Sequence, residues 1–268
     1  MKSPKISVVM SVYNGNQYLQ DAIDSILNQT FADFEFIIVN DGSDKQTSVI
    51  LNDYKKEDKR IKIIINSKRI GLTKSLIKAV STTCGDFIAR MDSDDISMPE
   101  RLSSQYLFMQ NNPDIDFCGS FANLIDENKN VLKTKKMPVT NSEIKEKVMS
   151  FCPLIHPTLF IKRDIIQKNN YNPRYVYAQD YELILRLLLS YKAANFPKPL
   201  LNYRVGIKQI SLTKLKSQEK FSLQARWDAL TKFGYSWINI LKCLKPLASY
   251  LAPVNIKKIV YKKFYWNL

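Results

Sequence analysis

Four near-continuous apolar runs, Ile6 to Val12, Phe34 to Val39, Ile61 to Ile65 and Asp86 to Met91, alternate with stretches of helical periodicity. This alternation is the feature that most constrains the fold. Apolar runs of this length suit strands buried on both faces. The intervening segments carry apolar residues three and four apart: Leu19, Ala22, Ile23, Ile26 and Leu27 within Tyr18 to Gln29, and Leu72, Leu76, Ile77 and Val80 within Leu72 to Val80. Strands joined by crossover helices predict a parallel sheet with right-handed connections. Ser43 and Gln46 have capping-box spacing for a helix reaching about Glu57, and Ser97 and Glu100 for another. After about Ile115 the rhythm changes. Strand-like pieces at Phe117 to Ile125, Leu159 to Lys162, Lys192 to Phe196 and Leu200 to Val205 mix with helices near Ser142 to Met149 and Asp180 to Leu189, which predicts a mixed second half extending the same sheet.

Charge is the unusual part of the composition. The 268 residues hold 40 Lys+Arg against 25 Asp+Glu, a net of +15. Such a balance suits nucleic acid, an anionic membrane or a phosphorylated substrate. The excess is uneven: residues 207–268 hold 12 basic and 2 acidic residues (Glu219 and Asp228), whereas the first 206 hold 28 and 23. The tail also carries Trp227, Trp237 and Trp266. From Trp237 onward, Ile240, Leu241, Leu244, Leu247, Ala248 and Leu251 repeat at helical spacing, with Lys242, Lys245, Lys257, Lys258, Lys262 and Lys263 flanking or following. That pattern fits an in-plane helix on an anionic leaflet; the competing role is a helix packed on the domain with a solvated lysine face. No apolar stretch of roughly 18 residues is present to span a bilayer, and the amino-terminal run reads as a strand, not a leader. Cys84, Cys118, Cys152 and Cys243 form no CxxC pair and read as free thiols of a reducing compartment.

Against this basic background two acidic clusters stand out, Asn40-Asp41-Gly42-Ser43 and Met91-Asp92-Ser93-Asp94-Asp95. Each follows a predicted parallel strand, and so does the turn Val12-Tyr13-Asn14-Gly15. Open α/β sheets bind ligands at these carboxyl ends. Asp92 and Asp94 are spaced to share a Mg²⁺ or Mn²⁺ that also takes substrate phosphates; a turn and helix cap is the competing role, most of all for Asp95. Asp41 is either a turn residue or a contact to a nucleoside. Phosphate loops of the Gly-x-x-x-x-Gly-Lys or Gly-x-Gly-x-x-Gly type are missing, so phosphate binding falls to metal, Lys and Arg. Asp180 opens a helix, either as its N-cap or as a general base for an acceptor hydroxyl. His156, the one histidine, is either structural beside Pro157 or an acceptor-side group, and Arg101 reads as a helix-surface or sheet-end contact.

Ile6 to Asn14, Asn40-Asp-Gly-Ser43, Ile70-Gly-Leu-Thr-Lys74, Met91-Asp-Ser-Asp-Asp95 and Gln179-Asp180 together resemble family 2 glycosyltransferases of bacterial surface-polysaccharide assembly. The ordered set, over roughly residues 4 to 205, is what makes the resemblance specific. It implies a GT-A fold over residues 1–206, with a nucleotide-sugar-binding half (1–115) and an acceptor-binding half (116–206), followed by a basic helical tail (207–268). It implies an inverting hexosyltransferase-type enzyme that moves sugar from a nucleotide-diphosphate donor, most often UDP-linked, to a saccharide or lipid-linked acceptor. Tyr13 and Asn14 would line the nucleotide pocket and Asp41 contact the base. Lys74 would approach the phosphates, Asp92 face ribose or diphosphate, Asp94 hold Mn²⁺ or Mg²⁺, and Asp180 act as base. Lipid-linked acceptors place such a protein in the cytoplasm, peripheral on the inner face of the membrane, with the tail on the anionic surface. Two departures stand: Gln179 where the family often has Glu, and Tyr203-Arg204-Val205-Gly206 where it often has Tyr-Arg-x-His. Arg204 or Lys208 would then supply charge. Competing readings are a sugar nucleotidyltransferase, which needs a glycine-rich amino-terminal loop absent from residues 10 to 20; a nucleic-acid binder, which the acidic crevice opposes; and a member that binds donor without transfer.

Overall fold

The computed structural model describes residues 3–15, 17–205 and 214–253. The first three strands, β1 (Ile6–Val12), β2 (Phe34–Asn40) and β3 (Ile61–Ile65), pair in parallel through α1 (Leu19–Leu27) and α2 (Lys45–Glu57). The chain then crosses by α3 (Leu72–Ser81) to β4 (Phe87–Asp92), on the other side of β1. The strand order 3-2-1-4 therefore reverses direction between β1 and β4. Successive side chains of the central strands enter opposite faces, as a pleated strand requires. Ile6, Val8, Met10, Phe36 and Ile38 join one apolar cluster, and Val9, Ile37 and Val39 join the other.

The second half extends this sheet, as expected. β5 (Ile96–Ser97), α4 (Arg101–Asn111), β6 (Phe117–Ile125), β7 (Val131–Lys135), α5 (Asn141–Lys147), β8 (Phe160–Lys162), α6 (Arg163–Lys168), α7 (Gln179–Leu187) and β9 (Ala193–Arg204) follow in that order. β8 pairs antiparallel with both β4 and β6, and the sheet runs 3-2-1-4-8-6-9-5 with β7 on β6. Beyond β9, α8 (Leu215–Thr231) puts Ala225, Ala229 and Leu230 into the cluster that holds Val9 and Ile37. The expected boundary at residue 206 falls outside the described residues, as do Lys208, Lys257, Lys258, Lys262, Lys263 and Trp266.

Local expectations need four corrections. The cap of α2 is Asp44, whose carboxylate accepts from the Thr47 amide at 2.8 Å; Ser43 instead accepts from the Asn14 amide at 3.1 Å and ties two loops together. Ser97 caps nothing, because residues 96–97 pair with Leu201 and Asn202, and α4 begins at Arg101. The two strand pieces after Lys192 are one strand, β9, whose register against β6 shifts near Pro199. A proline cannot donate to the ladder, so the strand passes it by an irregularity and not by a break. Arg101, expected as a surface or sheet-end contact, is fully buried: its Nη2 donates to the Arg90 carbonyl at 2.6 Å and its Nε to Gln105 at 3.1 Å.

Candidate active site

The reversal between β1 and β4 opens a crevice at the carboxyl ends of the strands, where loops leave to opposite faces of the sheet. Ser11 of β1 lies beside Asp92 of β4 in the parallel register. A cleft of about 1130 Å³ occupies this edge, and Tyr13, Asn14, Asp41, Asp92, Asp94, His156 and Asp180 all line it. The fold thus gathers segments separated by up to 167 positions in the chain. Of the expected site residues, Lys74 is not among those lining the cleft; it sits on the exposed side of α3, and Arg69 lines the cleft in its neighbourhood.

The donor-side wall is rigidly built. Asp41 is buried and accepts three hydrogen bonds: from Asn66 Nδ2 at 2.9 Å, the Ile70 amide at 2.8 Å and the Gly71 amide at 2.8 Å. It therefore fixes the loop that carries Arg69. Gly42 beside it has φ +70°, and a Cβ there would meet Arg69 N and Lys68 C at 2.6 Å, so the position requires glycine. The Arg69 guanidinium lies 3.9 Å over the Tyr13 ring, a cation–π pair that leaves both groups facing the cleft.

Asp92, Asp94 and Asp95 bring one carboxylate oxygen each to within 4.8 Å of one another. Burial and the neighbouring Asp92 push the Asp94 carboxyl up to about 6. Asp95 is pushed up as well, by burial and then by Asp94 and Asp92. Asp95 Oδ1 accepts from the Arg204 amide at 2.9 Å, while its buried Oδ2 has no hydrogen-bond partner. Converging carboxylates with an unsatisfied buried oxygen are the donor set a hard divalent cation relieves, so the residues present fit Mg²⁺ or Mn²⁺.

Arg90, two residues before Asp92 on β4, is buried beneath this group, pairs with Asp92 and has no hydrogen-bond partner at Nε and Nη1. The sequence reading missed it, although one arginine inside the run Phe87 to Met91 is a signal: a charge in a buried strand needs a partner. Arg204, offered as a substitute for the missing histidine, is spent on structure. Its Nε donates to the Asp94 carbonyl at 2.9 Å and its Nη1 to the carbonyls of Asp126 and Glu127 at 3.2 and 3.1 Å.

Across the cleft, Ala178 adopts a left-handed conformation (φ 52°) and turns the chain into α7. That turn makes Ala178 the cap and sets Asp180 in the first turn of the helix. Burial raises the Asp180 carboxyl, opposed by the Tyr181 amide and by Arg90. His156 Nε2 is 2.8 Å from Tyr171 Oη, and burial, then Arg90, push its pKa far down, so the imidazole is neutral. α8 packs against this wall and continues it: the Arg226 guanidinium sits 4.6 Å over the Tyr181 ring, and Tyr175 donates to Asp228 at 2.7 Å.

The sequence profile of glycosyl transferase family 2 matches residues 7–169. The chain belongs to that family. An uncharacterized glycosyltransferase of Methanocaldococcus jannaschii is 38% identical, with 97% of this chain and 93% of the relative covered. The O-antigen biosynthesis glycosyltransferase WbnJ of Escherichia coli is 37% identical over 89% of this chain and 93% of its own. Two solved structures share the fold at low identity. Residues 1–349 of S. aureus TarS, in complex with UDP, match with a TM-score of 0.68 at 18% identity, covering 92% of this chain and 70% of that one. The mannosyltransferase PcManGT of Pyrobaculum calidifontis, in complex with GDP-Man and Mn²⁺, matches with a TM-score of 0.67 at 14% identity, covering 100% and 77%. The family 2 protein therefore has the GT-A fold that its motifs imply.

Proposed function

We propose that this glycosyltransferase transfers a sugar with inversion from a nucleotide-diphosphate donor, UDP-linked in the first instance, to a hydroxyl of a saccharide acceptor in surface-polysaccharide synthesis. The observation that carries the reading is one cleft lined both by Asp92 and Asp94, whose carboxylates converge with that of buried Asp95, and by Asp180. Tyr13, Asn14 and the loop held by Asp41 receive the nucleoside, and Arg69, not Lys74, meets the phosphates. Asp94 and Asp95 would hold Mn²⁺ or Mg²⁺, which supplies Lewis-acid relief of the charge on the departing diphosphate. Asp180 takes the proton of the acceptor hydroxyl. The acceptor oxygen bonds to the anomeric carbon as the carbon–oxygen bond to the diphosphate breaks, and nucleoside diphosphate leaves with the electron pair. Neutral His156 is a hydrogen-bonding group for the acceptor. In the cell the protein works in the cytoplasm, peripheral on the inner face of the membrane.

Support for the setting comes from the names of relatives, which include an amylovoran biosynthesis glycosyltransferase of Erwinia amylovora at 26% identity over 96% of this chain. The reading is tested by Asp180→Asn. Turnover of UDP-sugar onto acceptor should fall roughly 10²–10⁴-fold, the span of general-base catalysis, while calorimetric UDP affinity with Mn²⁺ persists. Full turnover in that variant would remove Asp180 as base, and a protein that binds no nucleotide sugar would remove the reading.

A further inference from the structure

Residues 229–268 contain seven lysines and no Asp or Glu. In the described part of this stretch a 3₁₀ segment (Trp237–Cys243) leads into α9 (Leu244–Leu251), and neither element has a fully buried side chain. Trp237, Ile238, Leu241, Leu244 and Leu251 leave 54–73% of their surfaces in solvent. Trp227, on α8, is equally exposed and meets Trp237 edge to face with ring centroids 6.0 Å apart. Large apolar side chains exposed together on two successive elements mark an interaction site. Lys232, at the end of α8, and Lys245, in α9, are exposed, and Lys232 pairs with Asp228 at 2.7 Å. Among the described residues no helix is long and apolar enough to cross a membrane.

The charge pattern chooses the occupant. Two copies of the chain meeting through this face would oppose lysines with lysines and offer no carboxylate from residues 229–268. An anionic leaflet complements the lysines, accepts the aliphatic side chains and places indoles at headgroup depth. The same two helices also wall the cleft: Gln218 and Ser222 of α8 and Pro246 and Ser249 of α9 line it. Ser249 donates to Glu219 at 2.6 Å and joins them. The cleft wall and the apolar surface are thus about one helix diameter, ~10 Å, apart.

We propose that the surface of Trp227, Trp237, Ile238, Leu241, Leu244 and Leu251 seats the protein on an anionic bilayer, turning the α8–α9 wall of the cleft toward it. The docking does not rest on the transferase reading. The experiment is co-flotation of the full chain with phosphatidylglycerol-containing vesicles and with pure phosphatidylcholine vesicles, for wild type and Ile238→Asp/Leu251→Asp. Both substituted side chains are more than two-thirds exposed, so the variant folds, checked by its thermal midpoint. Wild type should partition onto the anionic vesicles at least tenfold more than the variant, and high salt should release it. Hydrogen exchange on vesicles should slow over residues 215–251 and be unchanged over α2. Absence of vesicle binding, slowing elsewhere, or a dimer in light scattering that the double substitution dissolves overturns the proposal. UDP titration of both proteins keeps the two readings apart, since these substitutions leave nucleotide binding unchanged and the transferase reading alone depends on it.

Discussion

Asp41 offers two roles from sequence, a turn residue or a nucleoside contact, and Asp41→Asn separates them. Its Oδ1 accepts from Asn66 and Ile70, and its Oδ2 from Gly71, at 2.8–2.9 Å. The asparagine does best by keeping its carbonyl oxygen toward the first two donors. Its NH₂ then faces the Gly71 N–H, so one bond is lost, a part-buried donor is stranded and the others lose charge assistance. Charged hydrogen bonds contribute about 1.5–3 kcal/mol each and a stranded donor costs about 1–3 kcal/mol, so unfolding free energy should fall by about 2–4 kcal/mol. At roughly 2–4 °C per kcal/mol for a domain of this size, the thermal midpoint drops by roughly 4–16 °C. Urea denaturation at pH 7 without ligand measures the first quantity, and calorimetric UDP titration at a temperature where the variant is folded measures donor affinity. Stability within about 0.5 kcal/mol of wild type, together with lost UDP binding, would refute the scaffold argument and make Asp41 purely a ligand contact.

Gly42→Ala strikes the same loop sterically: the left-handed φ costs about 1–2 kcal/mol and the 2.6 Å approaches to Lys68 and Arg69 add overpacking of about 1–3 kcal/mol, so both the urea midpoint and UDP affinity should fall. Asp94, with its pKa pushed up to about 6 by burial and Asp92, binds its proton more tightly folded than unfolded. It therefore destabilises the metal-free protein as pH rises from about 4 to 6 and above; relative to Asp94→Asn, wild type in EDTA should lose stability over that window, and Mn²⁺ should reverse the difference at pH 7. Asp180, raised by burial, must be ionised to act, so kcat should fall on the acid side above the ordinary carboxylate range. Arg226→Met removes donors to the Met149, Ser150 and Ser222 carbonyls and the cation beneath Tyr181; it should cost about 2–4 kcal/mol in urea and lower kcat more than it raises the donor KM, and Arg226→Lys should not restore it, because a point ammonium cannot serve three directions.

What could be read from the sequence and what could not divide along one physical line. The sheet core and the edge on which chemistry sits follow from local signals: the pleat sorts Val8 and Val9 to opposite faces, and the acidic turns sit where strands end. Boundaries failed where a distant segment outbid a local one, as when β9 claimed Ser97 from a cap and Asp44 displaced Ser43 because Asn14 had already engaged that hydroxyl. The positively charged residues failed most consistently, and for one reason. A lysine or arginine has a long, flexible stem, so its chain position says little about where its charge ends. Lys74 matches a motif yet is not among the residues lining the cleft, while Arg69, Arg90 and Arg226 match none and hold, respectively, the Tyr13 ring, Asp92 and the Tyr181 ring. A carboxylate on a short stem reports its site from sequence; a guanidinium reports it only once the strands that bury it are in place. The net charge of +15 therefore misdescribes the chemistry twice. At the cleft it conceals an acidic pocket in which Arg90 and Arg204 are tied to carboxylate and carbonyl oxygens, and at α8 and α9 it marks a surface whose apolar side chains, not its lysines alone, specify the partner.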